Sequence, residues 1–252
     1  YPEIVWQAMG TSAEYLDAFI SVSEYYRNRI RKKVNLPDSK VKTVYLGVDP
    51  GDYPPASGPI AQPAIGFLSR VSESCGLDKL VVAFIELKKD PFFHNLQLRI
   101  CGGMTGDDSG FLRNIKKRLK ENQVADDVQF LPDFDSRSRY DFLQSISVLS
   151  VPVESGEAFG FYLIESLASG VPVVQPNAGA FPEIIGITRG GLLYEPENPV
   201  QLAEKLAYLL KNPQIAGRLG TQGRDAVATR FGIQEMALNM VKVYQTHAGI
   251  PK

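Results

Sequence analysis

The sequence predicts an α/β fold in which a parallel sheet is covered by helices on both faces. Three observations carry the prediction. From residue 64 onward, strand-like and helix-like stretches follow one another in order, the pattern of repeated strand–helix steps that builds a parallel sheet. A stretch rich in proline and glycine, 49–63, precedes that alternation and reads as a linker. The segment 146–174 runs strand, glycine-bearing turn, short helix, glycine stop, strand. It sets a helix N-terminus near Gly160 at the carboxyl end of a strand, where α/β sheets bind phosphorylated ligands.

Taken in order, 18–23 is a short strand and 24–33 a charged helix with Tyr26 and Ile30 as its apolar or aromatic positions. Pro37 ends that region, and 41–46 is a second strand closed by the turn 47–51. Beyond the linker, 64–68 is a strand and 77–88 an amphipathic helix. The strand 97–101 is followed by a basic surface helix, 110–122, and the strand 128–131 by a helix, 138–144. Next come a strand at 148–153, the helix after Gly160, and a strand at 171–175. A short helical turn begins at 182–185, and 191–194 is the last strand. Helices at 199–210, 213–230 and 233–246 close the chain, the middle one interrupted by glycines and the last amphipathic.

Composition narrows the function classes. Of 252 residues, 44% are hydrophobic and 22% charged, as in soluble globular proteins. A net charge of −1 gives no electrostatic case for nucleic acid or an anionic membrane as partner. No apolar run approaches the ~20 residues of a membrane span. Cys75 and Cys101 are the only cysteines, too few for a disulfide framework. With no secretory signal, a reducing, cytoplasmic compartment is expected, membrane association of a longer protein staying open. His94 and His247 lie far apart and form no metal pattern. The chain begins at Tyr1 in structured-looking sequence and is expected to be a piece of a longer protein.

Glu157 and Glu165 bracket a mostly apolar run, 158–164. Carboxylates there cost free energy unless they contact something. Within one helix the two would lie ~12 Å apart, beyond the ~5–9.5 Å of a glycosidase pair, so a hydrolase pair is not expected. The expected arrangement has Glu157 in the loop and Glu165 two turns down the helix. Each would accept hydroxyls from a different end of an extended ligand. The N–H groups of Phe159, Gly160, Phe161 and Tyr162 would face a phosphate between them, Gly160 allowing close approach. The alternative is one surface glutamate and one buried glutamate held by a backbone partner.

Arg70 follows the strand 64–68. It could clamp a diphosphate with its planar fork or be a plain surface arginine. Gly102 lies in the turn 101–106, which follows a strand but lacks the G-x-G-x-x-G fingerprint. Cys75 has no histidine close in sequence to activate it. Phe134 and Tyr140 read as packing residues, although an aromatic at a strand end could stack on a base. Glu183 reads as a favourable acid in a first helical turn.

In order, and over nearly the whole chain, these pieces resemble the retaining glycosyltransferases of family 4, which have the GT-B fold. The residues 19–24 (FISVSE) resemble the end of that family's acceptor-side domain, and 44–49 (VYLGVD) the strand leading to its linker. The residues 65–70 (IGFLSR) resemble the first donor-domain strand with its phosphate-binding arginine. Glu157 and Glu165 match the E-x7-E motif, and 169–174 and 179–183 resemble the segments after it. The resemblance implies that 1–58 is the end of the N-terminal, acceptor-side domain and linker. It makes 59–252 the Rossmann-like donor-binding domain, the C-terminal half of a GT-B fold, with helix 233–246 packing back toward the N-terminal side.

The implied reaction moves a sugar from a nucleotide-diphosphate donor to an acceptor hydroxyl with retained configuration, without metal or cofactor. By the same resemblance Arg70 binds the donor phosphates and Glu157 faces the transferred sugar, as the catalytic residues. Glu165 binds the ribose, and Phe159, Gly160, Phe161 and Tyr162 complete the phosphate site. Leu131 and Phe134 border the base, and Gly102 lines the donor side. An acceptor sugar or glycoconjugate would be held by the missing N-terminal domain, so this chain alone is expected to bind donor and transfer poorly or not at all. One departure stands out: the family's lysine five residues after the arginine, followed by glycine, is here Cys75 before Gly76. Lys79 is a candidate substitute. The departure keeps open a catalytically lapsed binding or scaffolding module; a nucleotide-sugar epimerase or phosphorylase ranks lower.

Overall fold

The computed structural model describes residues 2–54, 62–131 and 136–247. The chain opens with helix α1 (Glu3–Ser12), strand β1 (Phe19–Ser21), helix α2 (Glu24–Val34) and strand β2 (Val41–Thr43). β1 and β2 pair in parallel, Phe19 opposite Val41. Trp6, Ile30 and Val41 form a small core between these elements. α2 starts where Ser23 caps it, its hydroxyl accepting the Tyr26 N–H, and ends on basic Arg31, Lys32 and Lys33 before Asn35 in the left-handed region at φ 55°.

The main sheet holds β3 (Ala64–Leu68), β4 (Gln97–Cys101), β5 (Val128–Leu131), β6 (Val148–Leu149), β7 (Val173–Pro176) and β8 (Gly191–Tyr194). Its order is β5-β4-β3-β6-β7-β8, and every pair is parallel. β3 is buried along its whole length, as a central strand covered on both faces must be. Between and after the strands run α3 (Leu77–Lys88), α4 (Ser109–Glu121), α5 (Ser136–Gln144), α6 (Phe161–Ala168), α7 (Phe181–Thr188), α8 (Pro199–Lys211), α9 (Pro213–Arg230) and α10 (Ile233–His247). α3 packs on α8, and α6 on α9. Phe67, Phe84 and Phe181 are fully buried, each worth roughly 1.5–3 kcal/mol over exposure.

Several expectations need correction. α1 was not anticipated. β6 covers two residues rather than 148–153: the Ser150 N–H still reaches Gly66 O, but Pro152 offers no N–H and the chain turns, Gly156 bonding back to Val153 O. α7 is a full two-turn helix instead of a short turn. The expected unit boundary at 58/59 lies outside the described residues. α10 begins beside the linker segment, where Val48 N–H bonds Phe231 O and Ile233 N–H bonds Val48 O, both at 2.9 Å. Its body leaves Leu238, Val241 and Tyr244 exposed.

Candidate functional site

The chain leaves β3 toward β4 and β5, then crosses back to β6 on β3's other side. The loops after β3 and β6 therefore diverge, and a crevice forms at the strands' carboxyl ends, the usual ligand position in such sheets. Of the residues singled out from sequence, Arg70, Glu157, Phe159 and Gly160 lie on these loops.

Arg70 follows β3, and its side chain is half exposed. Its Nε and Nη2 donate to Oδ2 and Oδ1 of Asp108, each at 3.0 Å, a planar two-point pairing. Asp108 also accepts the Thr105 N–H at 2.8 Å. The Arg70 guanidinium, then the Thr105 N–H, hold the Asp108 carboxyl well below its ordinary range. Nη1 of Arg70 donates to none of the described residues. The turn after β4 is tied to its neighbours by Val71 N–H to Gly103 O at 3.0 Å and Gly102 N–H to Leu131 O at 3.4 Å. Gly102 and half-exposed Leu131 are thus brought together; Phe134 lies outside the described residues.

On the β6 side, Gly160 caps α6 at φ +80°. A Cβ there would lie 2.9 Å from the Phe181 ring, so only glycine fits without displacement. None of the described residues accepts a hydrogen bond from the N–H groups of Phe159, Gly160, Phe161 or Tyr162. This is the unfilled row of donors that opens a helix. Phe159 is buried with its ring 6.0 Å from that of Phe231, Phe161 is 37% exposed and Tyr162 is buried. The Tyr162 hydroxyl donates to Glu157 Oε1 at 3.2 Å. Burial raises the Glu157 carboxyl above its ordinary value, and the Tyr162 hydrogen bond opposes that. The Glu157 main chain is pinned by the Ala180 N–H at 3.0 Å.

Glu165 sits little more than one turn into α6, not two, because the helix starts only at Phe161. It is 2% exposed. Its partners are side chains, not backbone: the Tyr53 hydroxyl and Arg139 Nη1 both donate to Oε1 at 3.0 Å. Among the described residues the two glutamates share no partner. Cys75 is a free thiol in a turn before Gly76, and Lys79 lies 3.5 Å from Asp78.

Glu183 is more than a first-turn acid of its own helix. It accepts the Glu24 and Tyr25 N–H groups at 2.8 and 2.9 Å and the Tyr45 hydroxyl at 2.7 Å, and so sits on the N-terminus of α2. Beside it, Ser23 Oγ donates to Ala158 O at 2.6 Å, joining α2's cap to the loop that carries Glu157. Sequence reasoning missed Tyr53, Asp108, Arg139 and this role of Glu183. Only the Ser23-Glu24 helix start was a legible signal. Among the described residues no cluster of His, Cys, Asp or Glu could hold a metal ion, and no helix is long and apolar enough to cross a membrane.

The sequence pattern of one family, described as Glycosyl transferases group 1, matches residues 58–226. The chain is 30% identical over 186 residues to a D-inositol 3-phosphate glycosyltransferase of Xylanimonas cellulosilytica, covering 74% of this chain and 43% of that enzyme. It therefore spans less than half of that relative. The C-terminal domain of a group 1 glycosyl transferase, LpcC of Francisella tularensis, superposes with a TM-score of 0.68 at 25% identity, over 75% of this chain and 100% of the domain. HepE of Anabaena, crystallised with UDP and glucose, superposes with a TM-score of 0.87 at 16% identity, over 98% of this chain and 68% of its own. That likeness speaks for the fold: a Rossmann-like parallel sheet with helices on both sides. With the family pattern spanning both sides of the crevice, this chain belongs to the group 1 glycosyl transferases.

Proposed function

We propose that this chain is the donor-binding part of a retaining glycosyltransferase. The full enzyme would move a sugar from a nucleotide-diphosphate sugar to a hydroxyl of an acceptor sugar or glycoconjugate. The observation that carries this reading is the unfilled row of N–H donors from Phe159 to Tyr162. It lies at the switch-point crevice between two carboxylates of different environment. The N–H row meets the diphosphate, with Nη1 of Arg70 reaching the same charge while Asp108 fixes the rest of the guanidinium. Glu157, half-hidden against Tyr162, faces the transferred sugar, and Glu165 meets the ribose. Leu131 and Gly102 border the base.

The protein's task is to neutralise charge growing on the leaving diphosphate and to hold the reacting groups in line. No metal or cofactor takes part in this reading, and residues 59–252 form the donor domain. The acceptor is held by a domain outside this chain, which on its own binds donor and transfers poorly or not at all.

The test is thermal stability against UDP, GDP, ADP and their sugar conjugates, with Glu165→Ala as control. A ligand at 100 times its dissociation constant adds ~2.7 kcal/mol. A shift with one base that vanishes in the variant is the expected result; equal shifts in both proteins would defeat the assignment of Glu165. A second reading, a lapsed binding module, is favoured by Cys75 at the family's lysine position. Cys75→Lys in the longer protein, assayed for donor hydrolysis, distinguishes the two. A large gain marks a lapsed enzyme.

A further inference from the structure

Glu165 is the most deeply buried carboxylate of the candidate site, and its two oxygens are treated unequally. Oε1 receives the Tyr53 hydroxyl and Arg139 Nη1, both at 3.0 Å, while Oε2 accepts from none of the described residues. A carboxylate offers about two acceptor positions on each oxygen, so the described residues fill Oε1 and leave Oε2 open. The two donors come from distant parts of the chain. Tyr53 follows the short turn Pro50–Asp52 at the start of the linker, and Arg139 lies on α5. Neither element carries any of the residues that define the family resemblance at this site.

From this we infer that Tyr53 and Arg139 are positioning residues for the donor nucleotide. They fix the Glu165 carboxylate through Oε1 and leave Oε2 as the single acceptor for a ribose hydroxyl. The inference rests on the donor-binding reading above and deepens it. A buried carboxylate that keeps a guanidinium partner holds its orientation. Without that partner it would swing away, and a ribose hydroxyl would meet no fixed acceptor. A hydrogen bond to an ionised group is worth roughly 1.5–3 kcal/mol, which corresponds to about 10- to 150-fold in affinity. The arrangement also makes the start of the linker part of the nucleotide site, since Tyr53 can hold Oε1 only while that segment stays docked.

The experiment measures dissociation constants of UDP, GDP and ADP and of their 2′- and 3′-deoxy counterparts. The proteins are the wild-type chain, Tyr53→Phe, Arg139→Met and Arg139→Lys, with folding checked by circular dichroism. The quantity read is the preference for the ribo form over the deoxy form. The wild type should show a preference of about tenfold or more for one hydroxyl. Arg139→Met should reduce it to near unity with little change in affinity for the deoxy nucleotide, and Arg139→Lys should restore part of it. Tyr53→Phe, which removes one oxygen, should reduce it severalfold and keeps the inference testable if Arg139→Met does not fold. A general structural role would weaken ribo and deoxy forms alike and leave their ratio unchanged; that outcome overturns the inference while the donor site stands. If the wild type binds no nucleotide at all, the donor-binding reading falls and the inference with it.

Discussion

Two glycine-to-alanine substitutions, a few residues apart in the chain, should act in opposite directions. Gly179 lies at φ +61°, and a Cβ there would sit 2.5 Å from the Glu157 nitrogen and 2.7 Å from the Glu157 oxygen. Both obstacles are backbone, so no side chain can swing aside. Ordinary Cβ contacts begin near 3.4 Å, so the loop carrying Glu157 would have to retreat by about 0.9 Å. The left-handed backbone costs alanine ~1–2 kcal/mol, and overpacking costs another ~1–3 kcal/mol. A midrange loss of ~3 kcal/mol lowers Tm by roughly 6–12 °C in a chain of this size. Gly186, on the exposed side of α7, has nothing within 4 Å of its would-be Cβ. Alanine there should add ~0.5–1 kcal/mol of helix stability and raise Tm by roughly 1–4 °C. Calorimetric melts of the two variants beside the wild type are the assay. A Gly179→Ala protein melting at or above the wild type, or a Gly186→Ala protein melting well below it, would refute the packing described for this loop.

Asp108 has its carboxyl held below its ordinary value of 3.8 by Arg70 and the Thr105 N–H. Its contribution is therefore present above that pH and lost as pH falls below it. Asp108→Asn should be less stable near neutrality and show a shallower acid limb in denaturation followed by Trp6 fluorescence. Glu183→Gln turns an amide N–H₂ toward groups that themselves donate, and should cost about 2 kcal/mol or more. Urea titration should show a lower midpoint with unchanged slope. Phe67→Ala should lose ~3–5 kcal/mol, whereas Tyr15→Ala, at a side chain 81% exposed, should stay within ~0.5 kcal/mol of the wild type. Calorimetry of Glu157→Ala and Glu165→Ala with bare nucleotide should show loss of binding only in the second. Equal loss in both would contradict their separate roles.

The strands β3, β4, β5 and β8 fell on the expected residues because short apolar runs between turn residues fix both type and ends. The helix α3 was equally legible, since its buried Leu77, Leu80, Val81, Phe84 and Leu87 recur at helical spacing. α1 was not, because only Trp6 on it is buried and one residue makes no period. The run 148–153 was over-read because burial continues through Val151 and Val153 after pairing has stopped; apolarity reports burial, not hydrogen bonding. At the candidate site, the helix start at Gly160 and the two glutamates were local signals. The groups that hold them were not local. Tyr53 and Arg139 reach Glu165, Ser23 reaches Ala158, and Glu183 reaches Glu24, Tyr25 and Tyr45 across long stretches of chain. A lone tyrosine or arginine gives no hint of such a partner.

The parallel bridge between Val48 and Gly232 has a consequence for the order in which the protein can be completed during synthesis. The segment before the linker is made well ahead of Phe231 and Ile233, whose backbone groups pair with Val48. Closing so long a loop adds an entropy cost that grows only slowly with length, but it makes this contact a late one. Phe231 is fully buried, and its ring lies 5.2 Å from that of Tyr45 and 6.0 Å from that of Phe159. A nascent chain halted before residue 231 would hold its six-stranded sheet and lack this keystone. The loop leading to Gly160 and the segment bearing Tyr45 would gain their common support together, in one closing step.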